Sequence, residues 1–251
     1  MKVLESVLLK SGNKIELIGE PSDKNTLVIG VFHGDEPQGK YLIEKYLSNI
    51  PPLPNPQRLA SLTCTQSRTT RRLVGSASAP RGGRVRERGI IFIPCLNPDG
   101  LKNGTRTNSN GVDLNRNFPT KNWGEDTSAA GENASDYYGG KSAGSEIETQ
   151  FVINVIEKYN PQVVLTLHAP YKIVNYDGPA QDIAQKISNI IKYPVEPSIG
   201  YPTPGSFGTY CGVERNIPTI TLELDEKIPV EHLEQPVFEI FDLLNLTNLH
   251  K

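Results

Sequence analysis

Four short, strongly apolar segments alternate with longer segments whose apolar residues recur every three or four positions. The apolar segments have the length and composition of buried strands, and the longer segments have the periodicity of amphipathic helices. This alternation predicts an α/β fold in which a largely parallel mixed sheet carries helices on both faces. The predicted strands are Thr26–Phe32, Gly89–Leu96, Gln162–His168 and Pro218–Leu224. The predicted helices cover residues 37–50, 146–159, 180–193 and 230–249, with Ser145 as a helix N-cap.

Ionisable side chains stand at the ends of these strands, where burial is costly unless something neutralises them. His33 and Glu36 follow the first strand, His168 ends the third, and Glu223 lies near the end of the fourth. The carboxyl ends of parallel strands meet at one edge of the sheet, where the active crevice of an open α/β fold lies. Two imidazoles and a carboxylate form the ligand set of a catalytic zinc. Gly34 is expected to allow the sharp turn that lets His33 and Glu36 face one ion.

Each of these signals has an ordinary alternative when it is taken alone. His-x-x-Glu spacing arises often by chance, and a single histidine such as His168 is more often a hydrogen-bonded core residue than a metal ligand. Glu223 alone would equally suit a strand-end ion pair with an arginine. Their joint position at strand ends is what supports a metal site, for which one Zn²⁺ per chain is predicted.

The segment between Leu96 and Ser145 lacks periodicity and is rich in Asn, Gly and Asp. A loop of this length in a compact domain is usually functional. It opens on a compact turn sequence at 97–100 and contains "GTRTNSNGVDLNRNFP". The guanidiniums of Arg106 and Arg116 suit the binding of an oxyanion and of a carboxylate. A polar loop held by its own Asn and Asp hydrogen bonds would show the same residue types, so the loop alone leaves both interpretations open.

Together with "HGDE", "LTLHAP" and "TLEL", this loop closely resembles the zinc carboxypeptidase family, with the motifs in the family's order from about residue 26 to residue 223. The resemblance implies zinc-dependent hydrolysis of an amide bond in a small peptide that bears a free carboxylate. It also implies roles for eight side chains. These are His33, Glu36 and His168 as zinc ligands, Asp113 as the carboxylate that orients His33, Arg106 as the group that polarises the scissile carbonyl, Asn115 and Arg116 as binders of the substrate carboxylate, and Glu223 as the general base.

Within that family, "VNYDGPA" and "GYPTPGSFGTY" resemble enzymes that cut the γ-D-glutamyl–diaminopimelate bond of murein peptides. Carboxypeptidase A-type enzymes carry a tyrosine on a mobile loop, and Tyr201, the nearest candidate here, does not match it cleanly and receives no role. An N-acyl-amino-acid deacylase similar to the aspartoacylase and succinylglutamate desuccinylase group is the alternative hydrolase. "NPDG" and the short loop at Arg106 favour the peptidase. A non-catalytic binding module on the same fold is the alternative from another class.

Residues 57–88 interrupt the pattern with a run rich in Arg, Ser, Thr and Gly that has no periodicity. We interpret this run as a flexible insertion within a single domain spanning residues 1–251. An arginine patch for nucleic acid and a local reading-frame error are the alternatives.

The overall composition argues against several partners. The net charge of −2 gives no general attraction to nucleic acid or anionic membranes. No apolar run has the length of a signal peptide or a membrane span, and three scattered cysteines do not form a disulfide framework. These features predict a cytoplasmic protein with neither nucleic-acid nor membrane partners, and they leave the oligomeric state open. The small peptide substrate is what the family resemblance implies.

Overall fold

The computed structural model describes residues 1–50, 89–124, 136–197 and 203–245. The predicted insertion at 57–88 and Tyr201 lie outside these ranges.

Within the described residues, eight strands form one mixed sheet in the order β1-β2-β4-β3-β5-β8-β6-β7. The strands are β1 Lys2–Leu8, β2 Lys14–Glu20, β3 Asn25–Gly30, β4 Gly89–Ile93, β5 Pro161–His168, β6 Ile173–Asp177, β7 Val195–Glu196 and β8 Thr219–Glu223. The four central strands β4, β3, β5 and β8 are parallel, whereas β1, β2 and β6 join the sheet through antiparallel pairs. The predicted α/β fold with a largely parallel mixed sheet is therefore confirmed.

Helices cover both faces of this sheet. They are α1 Gln38–Asn49, α2 Pro98–Asn103, α3 Ile147–Tyr159, α4 Gln181–Ile191 and α5 Glu234–Asn245. Neighbouring residues of a strand point to opposite faces: Val28 of β3 packs in the core under α1, α4 and α5, and Leu27 and Ile29 pack in the core under α3. Within the described ranges, every helix is too short or too polar to cross a membrane.

Two helix starts differ from the prediction. Helix α3 begins after Glu146, which occupies the N-cap position, and the hydroxyl of Ser145 donates instead to the Glu146 carboxylate at 2.6 Å. The predicted turn at 97–100 is the first turn of α2, because the side chain of Asn97 accepts a hydrogen bond from the Gly100 amide at 2.9 Å. An asparagine at this position supplies one of the acceptors that the first helical N–H groups require.

The strand register brings the predicted site residues to one edge of the sheet. Gly30, the last residue of β3, pairs with Leu167 of β5. His168, the next residue of β5, pairs with Glu223 at the end of β8. The chain that leaves β3 therefore runs directly past His168 and Glu223.

Candidate active site

A cavity of about 240 Å³ lies at the carboxyl ends of β3, β5 and β8. Seven of the eight predicted side chains line it, together with Asp35, Tyr171 and Glu226. The seven are His33, Glu36, Arg106, Asn115, Arg116, His168 and Glu223. Asp113, the eighth, is fully buried and contacts His33 and Arg106. Because the parallel strands end at the same edge of the sheet, residues that are far apart in sequence lie around one cavity.

The turn that carries His33 requires a close backbone approach. A side chain at Gly34 would overlap the backbone of Gly100 in α2, so only glycine fits. The left-handed residue of this turn is Val31, with φ of 54°. A β-branched residue rarely adopts that conformation, which costs on the order of 1–3 kcal/mol. The turn expected at Gly34 is present, because the Glu36 N–H donates to the His33 carbonyl at 3.2 Å. Gly34 does not have a positive φ, however, so the contact with α2, and not backbone freedom, is what requires glycine there.

Replacing Gly34 with alanine should lower both the melting temperature and the retention of zinc. The added methyl group must push α2 away from the His33 turn, and overpacking of this kind costs roughly 1–3 kcal/mol. Thermal unfolding and metal analysis of the purified variant would measure both effects. Gly12→Ala is the control, because φ is +88° there but an added Cβ meets nothing. That variant should lose about 1–2 kcal/mol of stability through backbone strain and keep its zinc. A Gly34→Ala variant with wild-type stability and zinc content would contradict the packing explanation.

His33, Glu36 and His168 bring their donor atoms to within 4.8 Å of one another. The two Nδ1 atoms are 3.3 Å apart, and the two Glu36 carboxylate oxygens lie 2.8 Å from His33 Nδ1 and 3.0 Å from His168 Nδ1. Two imidazole nitrogens on a tetrahedral zinc, each at roughly 2.0–2.1 Å, would be about 3.3 Å apart. The spacing and chemistry of this donor set therefore fit a zinc ion.

Charge around this cluster also favours a cation. Burial lowers the pKa of His33, but Glu36 and Asp113 outweigh that effect and raise the pKa to about 9. For Glu36, burial raises the pKa, because it disfavours the charged carboxylate. His33 and His168 outweigh this effect, so the pKa of Glu36 lies well below its usual range. A metal ion at this position would have to displace the His33 proton, as metal binding to histidine sites requires.

Asp113 links the metal cluster to the arginine side of the cavity. Its carboxylate lies 3.2 Å from His33 Nε2 and accepts hydrogen bonds from Arg106 Nε at 3.1 Å and Nη2 at 2.9 Å. It also accepts the backbone N–H of Asn115 at 2.8 Å. Such a contact fixes the ring orientation of a metal-binding histidine, so the geometry suits the orienting role predicted for Asp113.

Hydrogen-bond donors of Asn115 and Arg116 also line the cavity. Arg116 Nη1 donates to the Asn115 carbonyl at 2.7 Å, and its buried Nε has no hydrogen-bond partner within the described residues. The Asn115 side-chain oxygen accepts from the Phe207 amide at 2.9 Å, which leaves the Asn115 amide nitrogen as a donor. A buried guanidinium with an unused donor beside a free amide N–H₂ is suited to bind an anionic group such as a carboxylate.

Glu223 is a buried carboxylate of a different kind. Its Oε2 atom has no hydrogen-bond partner in the part of the chain that the structure describes. Burial raises its pKa above the usual value for glutamate. The carboxylate as a whole is not isolated, because it accepts a backbone hydrogen bond from Tyr171. A carboxylate with one unpartnered oxygen beside a metal site, and with its proton affinity raised by desolvation, is well suited to accept and return a proton.

The structure adds one site residue that the sequence did not indicate. The ring of Tyr137 lies under both arginines, 4.8 Å from Arg106 Cζ and 5.5 Å from Arg116 Cζ, measured to the ring centroid. The available signal was a pair of tyrosines, Tyr137 and Tyr138, in the long loop without periodicity. His232, by contrast, is an exposed residue of the short helix Val230–Leu233 and is not among the residues that line the cavity.

Comparison with known proteins decides the family. A sequence profile of the zinc carboxypeptidase family matches residues 65–226, more than half of the chain. The chain belongs to the zinc carboxypeptidase family. It is therefore a zinc metallopeptidase by family. The matched span starts at residue 65, inside the predicted 57–88 insertion, and therefore does not include His33 and Glu36.

Members of this zinc carboxypeptidase family that resemble the chain include murein peptide amidases. Murein peptide amidase A of Escherichia coli (strain K12) is 36% identical over 164 residues, which cover 63% of this chain and 66% of that protein. The enzyme of the same name from Vibrio campbellii is 39% identical over 139 residues, covering 53% and 55%. The chain thus matches just under two thirds of the first of these relatives and about half of the second.

The solved structures agree with this assignment. The murein-tripeptide amidase of Escherichia coli O157 has a TM-score of 0.70 and 28% identity, and the match covers 95% of this chain and 89% of that one. Carboxypeptidase A of Helicoverpa armigera, at 18% identity and a TM-score of 0.63, covers 96% and 66% and shares the fold. The fold is therefore that of zinc carboxypeptidases.

Proposed function

We propose that this chain hydrolyses an amide bond in a small peptide whose residue after the scissile bond bears a free carboxylate. The observation that carries the proposal is that one cavity is lined by a fitting zinc ligand set, two arginines and a buried glutamate whose Oε2 has no hydrogen-bond partner among the described residues. A non-catalytic binding module would have no need of a buried Glu223 with one carboxylate oxygen left unpartnered, so this residue supports catalysis.

His33, Glu36 and His168 are proposed to hold the zinc. A zinc ion bound there would polarise a carbonyl group as a Lewis acid and lower the pKa of a water molecule. Asp113 would keep the His33 ring turned so that Nδ1 faces the ion.

Glu223 is proposed as the proton carrier. Its carboxylate would accept a proton from the attacking water and then deliver that proton to the leaving amine nitrogen. Desolvation raises its proton affinity, which makes the carboxylate a stronger base than an exposed glutamate.

Arg106 is proposed to stabilise the charge that develops on the scissile carbonyl oxygen. Its Nε and Nη2 are held by Asp113, while Nη1 lies 3.9 Å from Glu36 Oε1, on the side of the metal cluster. A guanidinium fixed in this way stabilises an oxyanion without having to reorganise during the reaction.

Arg116 and Asn115 are proposed to bind the substrate carboxylate. Amidation of that carboxylate should lower kcat/KM by about ten- to a hundredfold, the value of one charge-assisted bidentate contact. Arg116→Ala should cause a similar loss on the free acid and little further loss on the amide, because both changes remove the same interaction. Steady-state kinetics of both enzymes on both substrates would measure this coupling. Arg116→Lys keeps the charge but cannot form two parallel hydrogen bonds, so its kcat/KM on the free acid should lie between the values of the wild type and Arg116→Ala. Fully additive losses would exclude Arg116 as the carboxylate binder.

The γ-D-glutamyl–diaminopimelate bond of murein peptides is the specific bond that we propose. Support comes from the relatives named murein peptide amidase A and from the solved murein-tripeptide amidase. A panel of murein tripeptide, ordinary dipeptides and N-acyl amino acids, followed by mass spectrometry of the products, tests this choice. Preferential cleavage of the N-acyl amino acids would favour the deacylase alternative.

A further inference from the structure

One aromatic ring contacts both arginines of the proposed site. Tyr137 precedes Tyr138, whose backbone carbonyl accepts the Asp113 N–H at 2.8 Å, so this segment is tied to the site by its main chain. The Tyr137 ring lies within 6 Å of both guanidiniums, at 4.8 Å from Arg106 and 5.5 Å from Arg116. These separations fall in the range of cation–π attraction.

Hydrogen bonds alone leave both guanidiniums partly unconstrained. Arg106 is held by Asp113 along one edge, and Arg116 is held through Nη1 while its Nε has no partner within the described residues. The two cations also repel each other, and the negative face of one ring attracts both of them. Among the described residues, the Tyr137 ring contacts both arginines, and the charge of Asp113 attracts both as well.

We propose that Tyr137 is a positioning residue that holds Arg106 toward the scissile carbonyl and Arg116 toward the substrate carboxylate. This role rests on the proposed function, because it acts through the groups that those arginines bind. The contacts are made by the ring, so the hydroxyl is dispensable and the electron density of the ring determines the effect.

Substitution of Tyr137 separates this role from simple packing. Tyr137→Phe should retain wild-type kinetics on murein tripeptide. Tyr137→Leu should lower kcat/KM roughly tenfold on the free acid, where both arginines act, and about threefold on the diaminopimelate amide, where Arg106 alone acts. The ratio of kcat/KM on the free acid to kcat/KM on the amide should therefore fall about threefold. Tyr138→Leu is the matched control, because that side chain is 49% exposed and should leave both substrates unaffected.

Fluorinated phenylalanines at position 137 keep the test valid even if the leucine variant does not fold. Successive fluorines preserve the shape of the ring and weaken its negative face, so kcat/KM should fall stepwise with fluorine number. In the inactive Glu223→Gln background, the Kd for the free acid should rise in the same order while the Kd for the amide stays constant.

Different results would overturn the role of Tyr137 and the proposed recognition of the substrate carboxylate. A wild-type enzyme without any preference for the free acid would overturn carboxylate recognition by Arg116, and with it this role of Tyr137. A wild-type preference that survives unchanged in Tyr137→Leu, or a fluorinated series with constant kinetics, would overturn the role of Tyr137 alone.

Discussion

Replacing Glu223 with glutamine should reduce turnover by at least about 10²-fold, because the amide cannot carry the proton from water to the leaving amine. The substitution preserves shape, so it should leave the fold intact. The Glu223 side chain is outside the three-residue ligand cluster, so zinc content should also stay at the wild-type level. Steady-state kinetics with metal analysis and thermal unfolding of the same preparation would measure all three quantities.

Glu226 provides a matched control for Glu223. Both carboxylates line the same cavity, but Glu226 is exposed and Glu223 is 6% exposed. Glu226→Gln should therefore keep most of the turnover. Near-normal turnover in Glu223→Gln, or an equal loss in both variants, would remove Glu223 from the proton-transfer role.

Removal of zinc should abolish most of the activity, and its return should restore it. Lewis-acid stabilisation is worth several kcal/mol, which corresponds to a loss of roughly 10²- to 10³-fold or more. We expect about one zinc per chain in the active protein, measured by metal analysis before and after treatment with a chelator. The reason is the donor set of His33, Glu36 and His168, whose spacing fits tetrahedral zinc.

Two histidine variants, His33→Ala and His232→Ala, test whether the loss of zinc and activity is specific to the proposed ligands. His33→Ala should lose both zinc and activity, since two donors hold a catalytic zinc poorly. His232→Ala, at an exposed histidine that does not line the cavity, should behave like the wild type. A His33→Ala variant that keeps stoichiometric zinc and normal activity would contradict the proposed ligand set.

The central strands could be predicted because they are buried on both faces and therefore read as continuous apolar runs, as β3 and β4 do. Strands β1 and β2 were not predicted. Their residues alternate between exposed and buried positions or stay partly exposed, so apolar runs do not mark them. The signal that remained was the period-two alternation of β2, "KIELIGE".

The site was predictable to a similar extent. Parallel strands deliver their carboxyl ends to one edge, so the proximity of His168 and Glu223 followed from their places at the ends of two predicted strands. The role of Tyr137 did not follow, because a ring that contacts two arginines depends on the path of a loop without periodicity. The reason for Gly34 was equally hidden, because it lies in a contact with Gly100 on another element.

The proposed function is tested by product analysis of murein tripeptide incubated with the purified, zinc-loaded protein comprising residues 1–251. We expect release of free diaminopimelate and L-alanyl-D-glutamate, detected by mass spectrometry, with Glu223→Gln showing at least about a 10²-fold slower release. The proposed function would be contradicted if the folded, zinc-loaded protein left the tripeptide intact. It would also be contradicted if Glu223→Gln released diaminopimelate as fast as the wild type.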